Sequence, residues 1–153
     1  MKRLTPLVLT ALFAGAAAGQ SAPEPGTSVL FEEDFTEDLS QFQWKKRPVI
    51  VFADSENDPA FVEQLELLHA SERDLLERDV IVLTDTDPDA RNPLRLKMRP
   101  RGFMLVLVGK DGGIKQRKPF PWSVREITRS IDKMPMRQRE IRDEKERARA
   151  ANQ

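Results

Sequence analysis

Three apolar runs in this chain end or begin at clusters of charge. Residues 49–53 lead into Asp54-Ser55-Glu56-Asn57-Asp58, residues 80–84 lead into Asp85-Thr86-Asp87-Pro88-Asp89, and Arg99 and Arg101 stand directly ahead of residues 103–108. Neighbouring strands of an open α/β sheet gather such loops beyond their carboxyl ends, where ligands of these folds tend to sit. The predicted rim therefore comprises Asp54, Ser55, Asp85, Asp87, Arg99 and Arg101, with carboxylates facing guanidinium groups. A rim of that kind can bind a small anionic or metal-chelated ligand, or serve an enzyme that needs no sulfur. Helix capping by Ser55 and Asp58 and solvated Asp/Arg pairs explain the same residues more cheaply.

Several more specific chemistries fail on spacing. As a calcium loop, the acids at 85, 87 and 89 fit the first three ligand positions, but Ala90 and Leu96 stand where glycine and glutamate are required. As an aspartyl phosphatase nucleophile, the same DxDxD would need several more strands and catalytic groups. Only 64 residues (153 minus 89) follow Asp89, and they are spoken for by a hairpin and closing helices. The sole histidine, His69, lies fourteen residues past Ser55 along a predicted helix, too far along its 1.5 Å rise per residue for a dyad. With no cysteine and one histidine, a zinc site built on those ligands is excluded, and so is every thiol mechanism. No metal or other cofactor is expected.

The elements that must position these residues follow from patterning. Pro48 to Ala53 is continuously apolar, as in a strand covered on both faces. Asp58 as N-cap and Pro59 at the first helical position then open a helix with Phe61, Val62, Leu65 and Leu68 at helical spacing, predicted to reach about Glu77. A second strand covers 80–84. Residues 90–97 are expected as a short helix, although the alternation of Leu94, Leu96 and Met98 with Arg95, Lys97 and Arg99 also suits a strand. The third strand, 103–108, meets a glycine-rich turn at 109–113 and a cationic returning strand at 114–118, an edge guarded by charge. Ser123 caps a helix that Pro135 ends, and residues 137–153 form a highly charged helical tail whose one large apolar residue is Ile141. Phe42 and Trp44 are expected to dock on the domain rim. In Met134-Pro135-Met136-Arg137, Met134 suits either core packing or a soft, adaptable contact surface, and on the second reading Met134, Met136 and Arg137 form a candidate partner surface.

The amino terminus has the composition of a secretory signal. Lys2 and Arg3 precede an uncharged stretch from residue 4 to 18 that ends in small residues, too short for a comfortable membrane span. Cleavage is expected near Ala18 or Gly19, releasing a periplasmic or secreted protein with no stable membrane insertion. The expected organisation is a signal peptide at 1–19, a flexible lead-in at 20–38 with a short extended piece at 29–31, a domain at 39–136 and the tail at 137–153. Removing Lys2 and Arg3 changes 25 basic residues to 23 against 25 acidic, a net charge of −2, which argues against a general nucleic-acid binder.

The predicted order is β-α-β-(α)-β-β-α, an α/β arrangement with a mixed central sheet of thioredoxin-like type and a charged C-terminal helix. The segment from Trp44 into the VIVFA strand, LVGKDGGIK at 107–115 and IDKMPMRQREIR at 131–142 resemble the bacterial members of domain of unknown function 4174, the thioredoxin-like DUDES group. Related domains occur in secreted animal proteins of the sushi-repeat and coiled-coil-domain types. The resemblance spans roughly residues 39–142 and implies a peroxiredoxin/thioredoxin-like fold and export, with no established activity. It puts Asp54 and Ser55 where redox relatives hold their active-site loop. Gly102 replaces the proline that those relatives place directly before the third strand. The functional expectation is an exported, non-redox binding module for an envelope protein or small ligand, with an enzyme using the Asp/Arg rim as the alternative.

Overall fold

The computed structural model describes residues 30–32 and 38–152, so the predicted signal peptide lies outside the described residues. Five strands form one mixed sheet: β1 (Phe31–Glu32), β2 (Arg47–Phe52), β3 (Val80–Asp85), β4 (Met104–Val108) and β5 (Ile114–Lys118), in the order β1-β3-β2-β4-β5. β3 runs parallel to both β1 and β2, while β4 is antiparallel to β2 and β5 to β4. This is the predicted thioredoxin-like α/β class. Pro48 is tolerated in a central strand because pairing with β4 begins one residue later, at Val49, so its missing amide breaks no ladder bond.

The continuous apolar runs are strands buried on both faces, and the pleat sorts them. Val49, Val51, Val80, Val82, Leu105 and Leu107 face one core, beneath α1 (Pro59–His69), α2 (Glu72–Leu76) and α4 (Val124–Asp132). Ile50, Phe52, Ile81, Leu83, Val106 and Val108 face a second core, roofed by a 3-10 turn (Leu39–Phe42) and α3 (Pro93–Met98). The helical alternative at 90–97 is the one adopted. Its N-cap is Asn92, whose side chain accepts from the Arg95 amide, and Pro93 takes the first helical position.

Three expectations change in detail. The helix predicted to reach Glu77 breaks in two, because Ser71 leaves helical geometry (φ −135°) and starts α2 anew. Within α1 the inward face is Phe61, Gln64 and Leu68, with Val62 exposed. Gln64 is buried because its amide brackets the Trp122 backbone, donating to the carbonyl at 3.0 Å and accepting from the amide at 2.7 Å. Phe42 docks as expected, but Trp44 is 62% exposed, held with φ +65° by its amide's bond to the Lys110 carbonyl.

The boundary drawn between 136 and 137 falls inside α5 (Pro135–Ala151). The first turns of α5 are built into the domain through Arg137 and Glu140, whereas residues 142–151 are exposed. The short extended piece expected in the lead-in pairs as β1, and just before it the Leu30 carbonyl accepts from the Val82 amide and the Leu30 side chain is buried. Among the described residues no helix is long and apolar enough to cross a membrane.

Candidate functional site

The two acidic loops do meet at the carboxyl ends of β2 and β3, and the residue that joins them is Arg95. Asp85, the last residue of β3, is buried. One carboxylate oxygen accepts from Arg95 Nη2 (3.0 Å) and the Asp87 amide (3.2 Å); the other accepts from Arg95 Nε (3.1 Å) and Asn92 Nδ2 (2.7 Å). Arg95 Nη2 also donates to the carbonyls of Ala53 and Asp85, at 2.7 and 3.0 Å, and the guanidinium lies 5.6 Å from the Phe52 ring centroid. A planar, permanently charged fork suits this task, since one side chain ties two strand ends and a carboxylate together.

The remaining rim residues take structural parts. Asp54 is exposed, and its nearest cation is Arg95 Nη1 at 3.9 Å. Ser55 Oγ accepts from the Asn57 amide, and Asp58 caps α1 by accepting from the amides of Ala60 and Phe61. Asp87 accepts from the amides of Asp89 and Ala90, closing its own turn. Arg99 ends α3 in the left-handed region (φ 52°), and both it and Arg101 are exposed, with no carboxylate partner among the described residues. Thus the structure brings Asp54 and Asp85 together through Arg95 and leaves Arg99 and Arg101 outside that cluster. His69 is an exposed helix-end residue, with Nδ1 2.8 Å from Glu72 and its ring stacked on Phe31. Among the described residues no group of three or more histidine, cysteine or acidic side chains could hold a metal ion.

A second cluster occupies the opposite end of the sheet. Arg47 opens β2 with its side chain fully buried, and its guanidinium clasps Glu140 of α5 through Nη1 and Nη2 at 3.2 and 3.0 Å. Lys110, in the turn after β4, donates to Glu140 and to Asp79, both at 2.7 Å. Arg137 reaches Glu140 and Glu144, about one and two turns further along α5, and Arg78 forks onto Asp132 at 2.9 Å twice. Burial alone would raise the Glu140 carboxyl, but the hydrogen bonds and charges of Arg47 and Lys110 overcome it and hold it at about 2, against an ordinary 4.5.

Beside this network the turn of the β4–β5 hairpin and the start of α5 enclose a cleft of about 150 Å³, lined by Arg47, Lys110, Lys115, Met134, Pro135 and Met136 among others. Met134 and Met136 are half-buried and line it, while Arg137 is buried behind it in the ion-pair network. A larger groove of about 390 Å³ runs between the 3-10 turn, α3 and the hairpin. Two of its charges serve local structure. Asp38 caps the 3-10 turn at Ser40, which lowers its pKa, and Asp111 is held low by Lys115 and the Gly113 amide. The smaller cleft is the better candidate, because only it combines apolar walls with a buried cation whose hydrogen-bonding capacity is incompletely used.

Arg95, Arg47, Gln64 and Glu140 are the residues that sequence patterning passed over. Arg95 carried a signal: with Leu94 and Met98 it occupies the inward stripe of a short helix. Arg47 and Glu140 carried none locally, being 93 residues apart.

Residues 38–140 match the family described as a domain of unknown function, DUF4174. The chain is 29% identical over 135 residues to coiled-coil domain-containing protein 80 of the zebrafish Danio rerio, an alignment covering 67% of this chain and 15% of that protein. The chain therefore corresponds to a small part of that relative. Among solved structures it resembles a reduced 2-Cys peroxiredoxin of Plasmodium vivax, with a TM-score of 0.51 and 17% identity over 61% of this chain and 80% of that one. This second likeness speaks to the fold alone.

Proposed function

Because this chain belongs to the DUF4174 family, whose description assigns no activity, we propose from its geometry that it is a binding module which recognises a protein partner through the cleft between the hairpin turn and Met134-Pro135-Met136. The observation that carries the reading is that cleft: two methionines and a proline, adaptable apolar surface, stand against the cations of Arg47, Lys110 and Lys115. Trp44 adds a large exposed aromatic whose backbone is tied to Lys110, and exposed tryptophans of this kind are favoured anchors at protein interfaces. The proposal further holds that the chain is one of the bacterial DUDES members, non-redox because it has no cysteine, and exported by a signal peptide cleaved near Ala18 or Gly19. Its partner is then an envelope protein.

The rim at the carboxyl strand ends supports catalysis less well. Both oxygens of Asp85 already accept two hydrogen bonds each, which leaves that carboxylate no free acceptor for proton transfer or attack. The test is in-cell crosslinking and copurification of the tagged chain, intact and cut after Glu144. That cut spares the Arg47–Glu140 and Arg137–Glu144 pairs, so a lost partner would report a contact and not a loosened helix. A specific envelope partner retained by the cut chain and lost on Met136→Glu is the expected result. A partner lost instead on Asp54→Ala, with Met136→Glu without effect, would move the function to the rim.

A further inference from the structure

We infer that the cleft at the start of α5 is a carboxylate-binding site that takes an acidic side chain from a partner's peptide segment. The inference rests on the cleft being the contact surface and adds the chemistry of what enters it. Helix α5 is seventeen residues long and begins without a side-chain cap, because its N-cap is Met134, which offers no oxygen. The amides of Met136 and Arg137 accordingly have no acceptor among the described residues, and the first intrahelical bond to this end is Gln138 to the Met134 carbonyl. Such a terminus presents donors and the positive end of the helix dipole to whatever fills the cleft.

Independent of the helix end, Arg47 lines the same cleft with its side chain 99% buried, and its Nε has no hydrogen-bond partner. Buried donors are seldom left unpaired, and an orphan on a charged group points to a missing acceptor; Arg137 Nε, 3.7 Å from Asp132 and outside the cleft lining, is a second such nitrogen among the described residues. Lys110 uses two of its three donors, on Asp79 and Glu140, and the exposed Lys115 uses one, on Asp111. Of the charged residues lining the cleft, three are basic (Arg47, Lys110, Lys115) and one acidic (Asp111). The acids that pair with those cations from α5 and the loop before β3, Glu140 and Asp79, do not line the cleft. The unspent capacity is therefore for an anion.

Size selects the source. A cavity of about 150 Å³ accommodates a benzene-sized group, whereas drug-sized ligands and cofactors occupy about 300–1,000 Å³. One glutamate side chain fits, its methylenes against Met134, Pro135 and Met136 and its carboxylate toward the α5 amides.

The test uses the intact, isotopically labelled protein and follows the amides of Met136, Arg137 and Lys115 by NMR. The probes are a capped Leu-Glu-Leu peptide, its Leu-Gln-Leu counterpart and sodium acetate. The glutamate peptide is expected to shift these amides saturably and to bind at least about tenfold more tightly than the glutamine peptide, the difference between charged and neutral acceptors. Lys115→Glu, which breaks only an exposed pair with Asp111, should abolish the response while leaving the melting temperature in place. Met134→Ser, which supplies the missing cap, should weaken it as well. Equal binding of the two peptides would overturn the carboxylate assignment and leave the cleft as a contact surface. Acetate binding as tightly as the glutamate peptide would overturn the peptide source. No response to any probe, joined to copurification that ignores Met136→Glu, would overturn both this inference and the reading beneath it.

Discussion

At the carboxyl ends of β2 and β3, Arg95 meets a carboxylate, two carbonyls and an aromatic face, and it closes that end of the molecule. At the amino ends of the same strands Arg47 is buried more completely, yet its Nε has no acceptor, and the helix end beside it is uncapped. The first end occupies the place where an open α/β sheet ordinarily holds its ligand, and here it is filled by the chain's own ion pair. The second lies where no general rule of the fold expects a site. The contrast is between an end whose hydrogen-bonding capacity is spent within the chain and one where part of it is left over.

The largest effects should come from breaking the closed end. Arg95→Ala leaves Asp85 buried without its counter-charge and is expected to cost about 3–5 kcal/mol in denaturant unfolding. A loss under about 1 kcal/mol would mean that this end is as open as the other.

Glu140 sharpens the comparison from the opposite side. Its carboxyl titrates near 4.5 when unfolded and about 2 when folded, so the unfolded chain takes up the proton first. Its contribution, on the order of 3 kcal/mol, is fully present above about pH 4.5 and is lost as pH falls toward 2. Glu140→Gln should be less stable at pH 7 by a similar amount and should converge on the parent chain in acid. Parallel stability curves for the two proteins would contradict the pairing with Arg47 and Lys110.

Smaller effects delimit the rim's structural residues. Asp58→Ala removes the cap of α1 and should cost about 1 kcal/mol in unfolding free energy. Arg99→Ala with Arg101→Ala should leave the melting temperature unchanged, since neither side chain pairs with a carboxylate among the described residues. A clear destabilisation by that double variant would return both arginines to the rim.

How far the sequence reveals this depends on whether a signal is local. The strands were legible because uninterrupted β-branched runs are buried on both faces. The Asp58-Pro59 and Ser123 caps, and the glycine turn at 109–113, announce themselves within four or five residues. The meeting of the acidic loops was also legible, since it follows from parallel strands sharing one end. The identity of the cation was not: Arg99 and Arg101 lie closest to β4 in sequence, but α3 turns Arg95 inward and ends at Arg99 with a left-handed residue. Charged residues 137–153 read as a solvated tail, because the burial of Arg137 and the anchoring of Glu140 depend on Arg47 and Lys110, far away along the chain. Trp44 is exposed where docking is expected, for a related reason. Its positive φ is fixed by a bond to the distant Lys110 carbonyl, which turns the indole outward.

The most direct measurement is in-cell photocrosslinking with a photoreactive residue placed either at Met136, in the cleft, or at Asp54, on the rim. A discrete adduct from position 136, absent from position 54 and lost with Lys115→Glu, is the predicted result. An adduct from position 54 alone would contradict the account and make the closed end the working one.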